Sequence, residues 1–165
     1  MADGQPLVTG CRLSMPTLRD FAWVAERMRP DEIDQWTAKT GAAYHAEACA
    51  MAMANTAGPH FALVDAAGYP VGVGGFDPVR PGVYECWAAG TLEGWDAHWR
   101  AITLTCARMM RRLFADGAHR IQTTALSSRT RAHEWYERGL SMHREGEHPG
   151  WFADGATGIT FARTR

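Results

Sequence analysis

The stretch DGAHRIQTTALSSRTRAHEWYERGLSMHREGEHPGWFADGATGITFAR, residues 116–163, carries the strongest fold signals of this chain. Residues 119–126 form a strand-like run directly after an amphipathic helix that a glycine ends. Residues 127–139 have helical spacing and begin with a serine as the candidate N-cap. Residues 140–146 read as a strand, and the Asp154-Gly155 turn precedes a final alternating strand. The pattern therefore predicts helix, strand, helix, strand, strand.

Upstream of this stretch, the apolar residues follow helical spacing first and strand spacing afterwards. Pro30 and the acids after it suit the first turn of a helix, and Gly41 suits its end. The glycine-rich run VGVGGF, residues 71–76, lies within a strand and opens no helix, so it does not fit a nucleotide-binding loop. The predicted elements are a strand at 7–14, helices at 17–29, 30–40 and 44–55, strands at 61–64, 71–76 and 83–88, and a helix at 96–115.

The composition predicts one soluble domain spanning residues 1–165. A chain of this length with 46% hydrophobic residues can bury a core of its own. The sequence has no apolar run of membrane-spanning length and no signal-peptide pattern at its start, which favours a cytoplasmic protein that does not bind membranes. The net charge of −1 gives no general attraction to nucleic acid.

The cysteines and histidines do not indicate a metal site. Cys11, Cys49, Cys86 and Cys106 contain no C-x-x-C pair and stand among apolar residues, which predicts buried free thiols. His45 lies four positions before Cys49, which could form half of a site on a helix, but no further ligands are evident. The five tryptophans between Trp87 and Trp151 are predicted to be mostly core, and some can line a pocket.

The ordered motifs of the second half resemble the GNAT (Gcn5-related N-acetyltransferase) superfamily, in particular the short members encoded by phages and prophages. The matching features are Gly117, Arg120-Ile121, WYERGLSM, Glu145-Gly146, Asp154-Gly155 and the terminal FAR. The resemblance extends from about residue 61 to the end and is loose before it. It implies an α/β fold with a mixed, mostly antiparallel sheet of six to seven strands flanked by helices. It also implies that the sheet is splayed between the fourth strand, 83–88, and the fifth, 120–126, and that acetyl-CoA binds in this cleft.

The family binds the pyrophosphate of acetyl-CoA with backbone N–H groups of a glycine-rich loop and the following helix N-terminus. The corresponding segment AAGTLEGWDAHWRAI contains Gly90 and Gly94 but no G-x-G, and it has Trp95 and Asp96 where glycines are expected. Arg100 could compensate with a phosphate contact. Either the segment still binds acetyl-CoA or its tryptophans fill the cleft. The cofactor-binding residues that the resemblance implies are Trp87, Ala88, Ala89, Gly90, Trp95, Trp99, Arg100 and Arg129.

Two residues are candidates for the catalytic chemistry that the resemblance implies. Glu85 occupies a strand position suited to the general base, because an apolar cleft raises the proton affinity of a carboxylate. The alternative for Glu85 is a solvent-facing strand position. Tyr136 is the candidate acid for the departing thiolate, although it does not align with the family tyrosine in helical register, and aromatic packing is the alternative. Arg129 stands near the place of an asparagine often found in the family.

The resemblance implies an N-acyltransferase that transfers an acetyl group from acetyl-CoA to an amine on a small molecule or a protein. The alternative hypothesis is a catalytically inactive GNAT-fold protein of a phage, virion-associated and bound to a phage protein. Homo-oligomers are compatible with both hypotheses. Binding of acetyl-CoA would distinguish them.

Overall fold

The computed structural model describes residues 9–165. It contains seven strands and five α-helices, the last of which continues into a π-helical turn. In chain order the elements are β1 (Arg12–Ser14), α1 (Leu18–Ala25), α2 (Pro30–Thr40), α3 (Ala46–Ala54), β2 (His60–Val64), β3 (Pro70–Arg80), β4 (Val83–Gly90), α4 (Leu92–Ala115), β5 (Arg120–Leu126), α5 (Thr130–Glu134), the π-helical turn (Trp135–Gly139), β6 (His143–His148) and β7 (Gly158–Thr164).

The strands form one sheet in the order β1-β2-β3-β4-β5-β7-β6. The pair β4–β5 is parallel, and the other neighbouring strands are antiparallel. The parallel pairing is restricted to Val83–Glu85 of β4, opposite Arg120–Gln122 of β5. Beyond these residues β4 and β5 have no pairing with each other. The predicted α/β fold, with a sheet of six to seven strands and a splay between the fourth and fifth strands, is therefore confirmed.

The two faces of the sheet pack against different helices, because successive side chains of a strand point to opposite faces. On β4, Cys86 and Ala88 belong to a core that includes Ile102, Cys106 and Met110 of α4. Trp87 and Ala89 belong to a second core with residues of α1 and α3. The strand that borders the splay therefore separates two layers of helices.

The two ends of α2 lie where the sequence predicted them. Pro30 occupies the first turn, where its missing N–H removes no helical hydrogen bond. Gly41 ends the helix with φ 69°, in the left-handed conformation that glycine adopts without a Cβ clash. All four cysteines are buried and free, as expected. In the described part of the chain, no helix combines the length and the hydropathy needed to cross a membrane.

Several predicted boundaries were wrong. β3 continues to Arg80 instead of ending at residue 76, and the segment at 140–146 becomes a strand only at His143. The predicted serine N-cap of the helix after β5 is also wrong, since Arg129 stands at that position and no side chain caps the helix. β1 begins at Arg12, and residues 7 and 8 of the predicted strand lie outside the described residues.

The long helix α4 begins at Leu92, earlier than the predicted residue 96, and it is kinked. Its kink lies at His98, whose φ of −123° and ψ of 16° are not helical. The imidazole Nδ1 of His98 lies 3.3 Å from Sγ of Cys11. Hydrophobic spacing identified the part of α4 after the kink, because that part packs on the sheet through Ile102 and Cys106.

Candidate active site

Two neighbouring cavities lie at the splay between β4 and β5. The first, which we call the α4–α5 cavity, has a volume of about 360 Å³. The second, the α2–α3 cavity, has a volume of about 390 Å³. Four residues line both cavities, and they form the shared wall: Glu32, Ala88, Arg129 and Tyr136.

The α4–α5 cavity combines aromatic rings with arginines. The rings of Trp95 and Trp135 meet edge to face with centroids 5.1 Å apart. The guanidinium of Arg29 lies over Trp95, 4.5 Å from the ring centroid. Trp99 and Arg131 also line this cavity. Stacking surfaces next to guanidinium groups can bind a flat or apolar ligand that carries an anionic group.

The α2–α3 cavity places two carboxylates on one wall. Asp77 of β3 and Glu85 of β4 are directly opposite each other across the two strands. Oδ1 of Asp77 and Nε1 of Trp87 are buried without a hydrogen-bond partner. Two like charges in opposite positions destabilise a strand pair, so a cation between them would be favourable. Aromatic surface from Trp36 and Trp151 completes this cavity.

Glu32, in the first turn of α2, has a carboxylate that is nearly enclosed, with 5% of the residue exposed. The backbone N–H of Gly90 and the indole Nε1–H of Trp95 donate to its oxygens at 3.3 and 2.9 Å. The guanidinium groups of Arg29 and Arg129 lie 3.9 and 4.0 Å from Oε1. Burial raises the pKa of Glu32 to about 7, although both arginines oppose the shift. The only sequence signal at Glu32 is the general preference of acids for the first turn of a helix.

Tyr136 reaches the shared wall because the helix that carries it changes type. Leu140 N–H donates to the carbonyl of Trp135 at 3.1 Å, which closes a π-helical turn. This turn adds a residue relative to an α-helical turn, so the α-helical register used for the sequence prediction did not apply. Burial raises the pKa of Tyr136, and the nearby Arg129 guanidinium opposes that shift. π-helical turns are frequent at functional sites.

The start of α4 is closed by the protein's own groups. Thr91 is the N-cap, and its side chain accepts from Gly94 N–H at 2.8 Å. Leu92 N–H donates to the carbonyl of Arg27 at 3.1 Å. These two N–H groups are among those that would otherwise be free to bind an anion at a helix N-terminus.

The two glycines of this segment have packing roles. A Cβ on Gly90 would lie 2.6 Å from Nε1 of Trp95, and one on Gly94 would collide with the carbonyl oxygen of Val71. Both glycines therefore allow close approach of the protein's own groups.

The structure brings most of the predicted site residues to the splay. Glu85, Trp87 and Ala89 line the α2–α3 cavity. Trp95 and Trp99 line the other cavity, and Ala88, Arg129 and Tyr136 line both. Gly90 reaches the site through its N–H.

Arg100 does not line either cavity, and its guanidinium lies 5.2 Å from the ring centroid of Trp99. The tryptophans are less buried than predicted, since Trp99 and Trp151 are 47% and 52% exposed.

Comparison with known proteins shows the fold. No known family model and no curated protein matches the sequence. Spermidine N-acetyltransferase from Vibrio cholerae, solved with CoA and spermine, superposes with a TM-score of 0.72 at 14% identity, covering 94% of this chain and 95% of that one. A GNAT-family acetyltransferase from Bacillus anthracis superposes with a TM-score of 0.69 at 14% sequence identity, covering 94% of this chain and 95% of that one. AAC(6')-Ib, solved with ribostamycin and coenzyme A, gives 0.68 at 19%, covering 94% of each chain. The fold is therefore GNAT-like.

Proposed function

We propose that this protein is an N-acyltransferase that transfers an acetyl group from acetyl-CoA to an amine. One observation carries the proposal: two neighbouring cavities at the β4–β5 splay share a wall that contains Tyr136. A direct transfer requires the acyl donor and the amine to meet, and a shared wall is a place where they can do so. The neighbours solved with CoA, with spermine and with ribostamycin are consistent with this proposal.

The α4–α5 cavity suits the donor in part. Residues 86–89 of β4 have no pairing with β5, so backbone groups on this edge are available to the amide groups of a pantetheine arm. Arg29, Arg129 and Arg131 line the cavity and can bind phosphate. The helix N-terminus is used internally, so we propose that arginines replace it. When bound, the donor supplies an activated thioester.

The α2–α3 cavity suits a cationic amine. We propose that Asp77 and Glu85 receive the ammonium group of the acceptor, since they face each other across the strands. The sequence also suggested Glu85 as the base, and the Glu85→Gln variant tests that role. Tyr136 is the proposed acid that protonates the departing thiolate. Spermine in the Vibrio cholerae neighbour is an amine ligand of the same kind.

A second function is favoured by the internally closed start of α4. A protein that has lost acetyl-CoA binding would have no need of free N–H groups at that position, and its tryptophans would serve packing. The second proposal is therefore that the chain is an inactive accessory protein of a phage or prophage. It would be present in the host cytoplasm or in the virion and would bind a protein partner.

The experiment is an acetyl-transfer assay with a panel of polyamines, aminoglycosides and arylalkylamines, detecting free thiol and product mass. We expect acetylated product, and about a hundredfold lower kcat for Tyr136→Phe. Tyr69→Phe is the matched control, because Tyr69 lies outside both cavities and stacks on Trp23. Calorimetry with acetyl-CoA accompanies the assay. Absence of both product and binding would reject the enzyme and favour the accessory protein.

A further inference from the structure

We propose that Glu32, on α2, is the general base that takes the proton from the attacking amine. This inference rests on the proposed acyl transfer and adds a catalytic residue to it. The reacting nitrogen comes from the α2–α3 cavity and the acyl carbon from the α4–α5 cavity. The base must therefore reach the place where the two cavities meet.

Position separates Glu32 from the other acids of the site. Among the described residues, the carboxylates that line the cavities are Glu32, Asp77, Glu85 and Asp96. Asp96 lines only the α4–α5 cavity, whereas Asp77 and Glu85 line only the α2–α3 cavity. Glu32 lines both cavities and shares the wall with Tyr136. A base and an acid on one wall can act on the two sides of a single transfer.

The surroundings of Glu32 hold its carboxylate in place. Gly90 N–H and Trp95 Nε1–H fix its oxygens from β4 and α4. Titratable and charged groups from three parts of the chain interact electrostatically with Glu32. Arg29 and Asp31 lie at the start of α2, and Tyr44 and Cys49 lie just before α3 and within it. Arg129 precedes α5, and Tyr136 lies in the π-helical turn.

The protonation behaviour of Glu32 agrees with a general base. With a pKa raised by burial to about 7, it exchanges protons in the range where a base at neutral pH is most effective.

The step conserves protons and electrons. The ammonium group gives one proton to the Glu32 carboxylate, and the free electron pair of nitrogen then forms the bond to the acyl carbon. As the carbon–sulfur bond breaks, its electron pair stays on sulfur, which receives the phenol proton of Tyr136. The second nitrogen proton restores the phenol. The products are the amide, the free thiol and a protonated Glu32 that returns its proton to solvent.

Glu85 is separated from this step by its place in the sheet. It pairs with Gln122 at the last residue pair before the splay, and with Asp77 on the other side. We assign to Glu85 the binding of the ammonium group before transfer. Loss of Glu85 should then raise the KM of the amine, whereas loss of Glu32 should lower kcat.

The test compares Glu32→Gln, Glu85→Gln and the control Glu47→Gln, an exposed residue that lines neither cavity. We expect Glu32→Gln to reduce kcat about a hundredfold with little change in amine KM, and to remove the ionisation near pH 7 from the profile of kcat/KM. Glu32→Asp should restore part of kcat. A Glu32→Gln variant that keeps kcat within about threefold, or a pH limb lost only in Glu85→Gln, would overturn the assignment.

A second readout does not depend on turnover. Trp95 donates to Glu32, so its fluorescence should change as pH passes through about 7 in the wild type, and not in Glu32→Gln. Trp95→Phe identifies the signal among the other tryptophans. Wild-type protein that acetylates no amine would reject the proposed function, whatever the fluorescence shows. Wild-type turnover together with unchanged kcat and an unchanged titration in Glu32→Gln would reject only the role of Glu32.

Discussion

The helices α2 and α4 both begin near the splay, but the polar groups of their first turns differ. The first turn of α4 bonds its N–H groups within the protein, whereas the first turn of α2 carries a buried carboxylate. In α4, Thr91 caps the helix with its own oxygen, and nearby N–H groups bond within the protein. In α2, the first turn presents the buried carboxylate of Glu32 to Gly90 of β4. The resemblance noted in the sequence predicted anion binding at the start of α4. Here the groups suited to anions are the arginines around the shared wall.

The largest effect should come from removing one of those arginines. Arg129→Ala removes a guanidinium that is 9% exposed, and its buried partner is the Glu32 carboxylate, which is 5% exposed with Oε1 4.0 Å away. The same guanidinium lies 2.9 Å from Asp31, which is 39% exposed. Breaking a buried ion pair on one side should cost about 4 kcal/mol of unfolding free energy and lower the Tm by roughly 10 °C. Chemical denaturation measures the change in unfolding free energy. The control Arg131→Ala removes an exposed arginine of the α4–α5 cavity and should change stability by less than about 0.5 kcal/mol. Equal losses would contradict the comparison.

A pH titration of stability should give the next largest effect. The pKa of Glu32 rises from 4.5 to about 7 on folding, so between these values the folded state binds more protons than the unfolded state. Stability from Glu32 is therefore complete below pH 4.5 and is lost as pH rises to about 7, a change of roughly 3 kcal/mol. The difference between wild type and Glu32→Gln isolates this contribution from other groups. If the difference in unfolding free energy between the two proteins does not change with pH, the pKa of Glu32 is not raised by folding.

The internal cap of α4 should have a smaller but measurable effect. Thr91→Ala leaves a buried Gly94 N–H without its acceptor, and we expect a loss of about 2 kcal/mol in urea unfolding. Thr17→Ala is the matched control, because Thr17 caps α1 with an exposed capping box. It should lose about 1 kcal/mol. If Thr17→Ala loses as much, burial does not distinguish the two caps.

The smallest effect should separate the two cavities without changing the fold. Trp99 and Trp151 are 47% and 52% exposed and line different cavities. Trp99→Ala should weaken acetyl-CoA binding roughly tenfold and leave amine binding unchanged, since an aromatic anchor adds about 1 to 2 kcal/mol. Trp151→Ala should do the reverse. Calorimetry with acetyl-CoA and with the amine measures both affinities for each variant. The same loss of acetyl-CoA affinity in both variants would show that the two cavities do not bind different ligands.

The sequence predicted those features that depend on local chemistry or on ordered motifs. Pro30 and Gly41 set the ends of α2 because their backbone preferences act within a single turn. The splay was predicted from the resemblance of the ordered motifs to the GNAT superfamily. Glu32 could not be recognised, because its burial depends on Gly90 and Trp95, which are distant in the chain. Tyr136 was named from the sequence, but its register could not be predicted, since a π-helical turn breaks the spacing that helical periodicity assumes.

The outer strands of the sheet affect how this protein can associate with itself. β1 is only three residues long, and β6, HREGEH, carries charged side chains and a register shift between Arg144 and Gly146. Short, charged or irregular edges resist the addition of strands from another molecule. The protein therefore has built-in protection against edge-to-edge aggregation at high concentration.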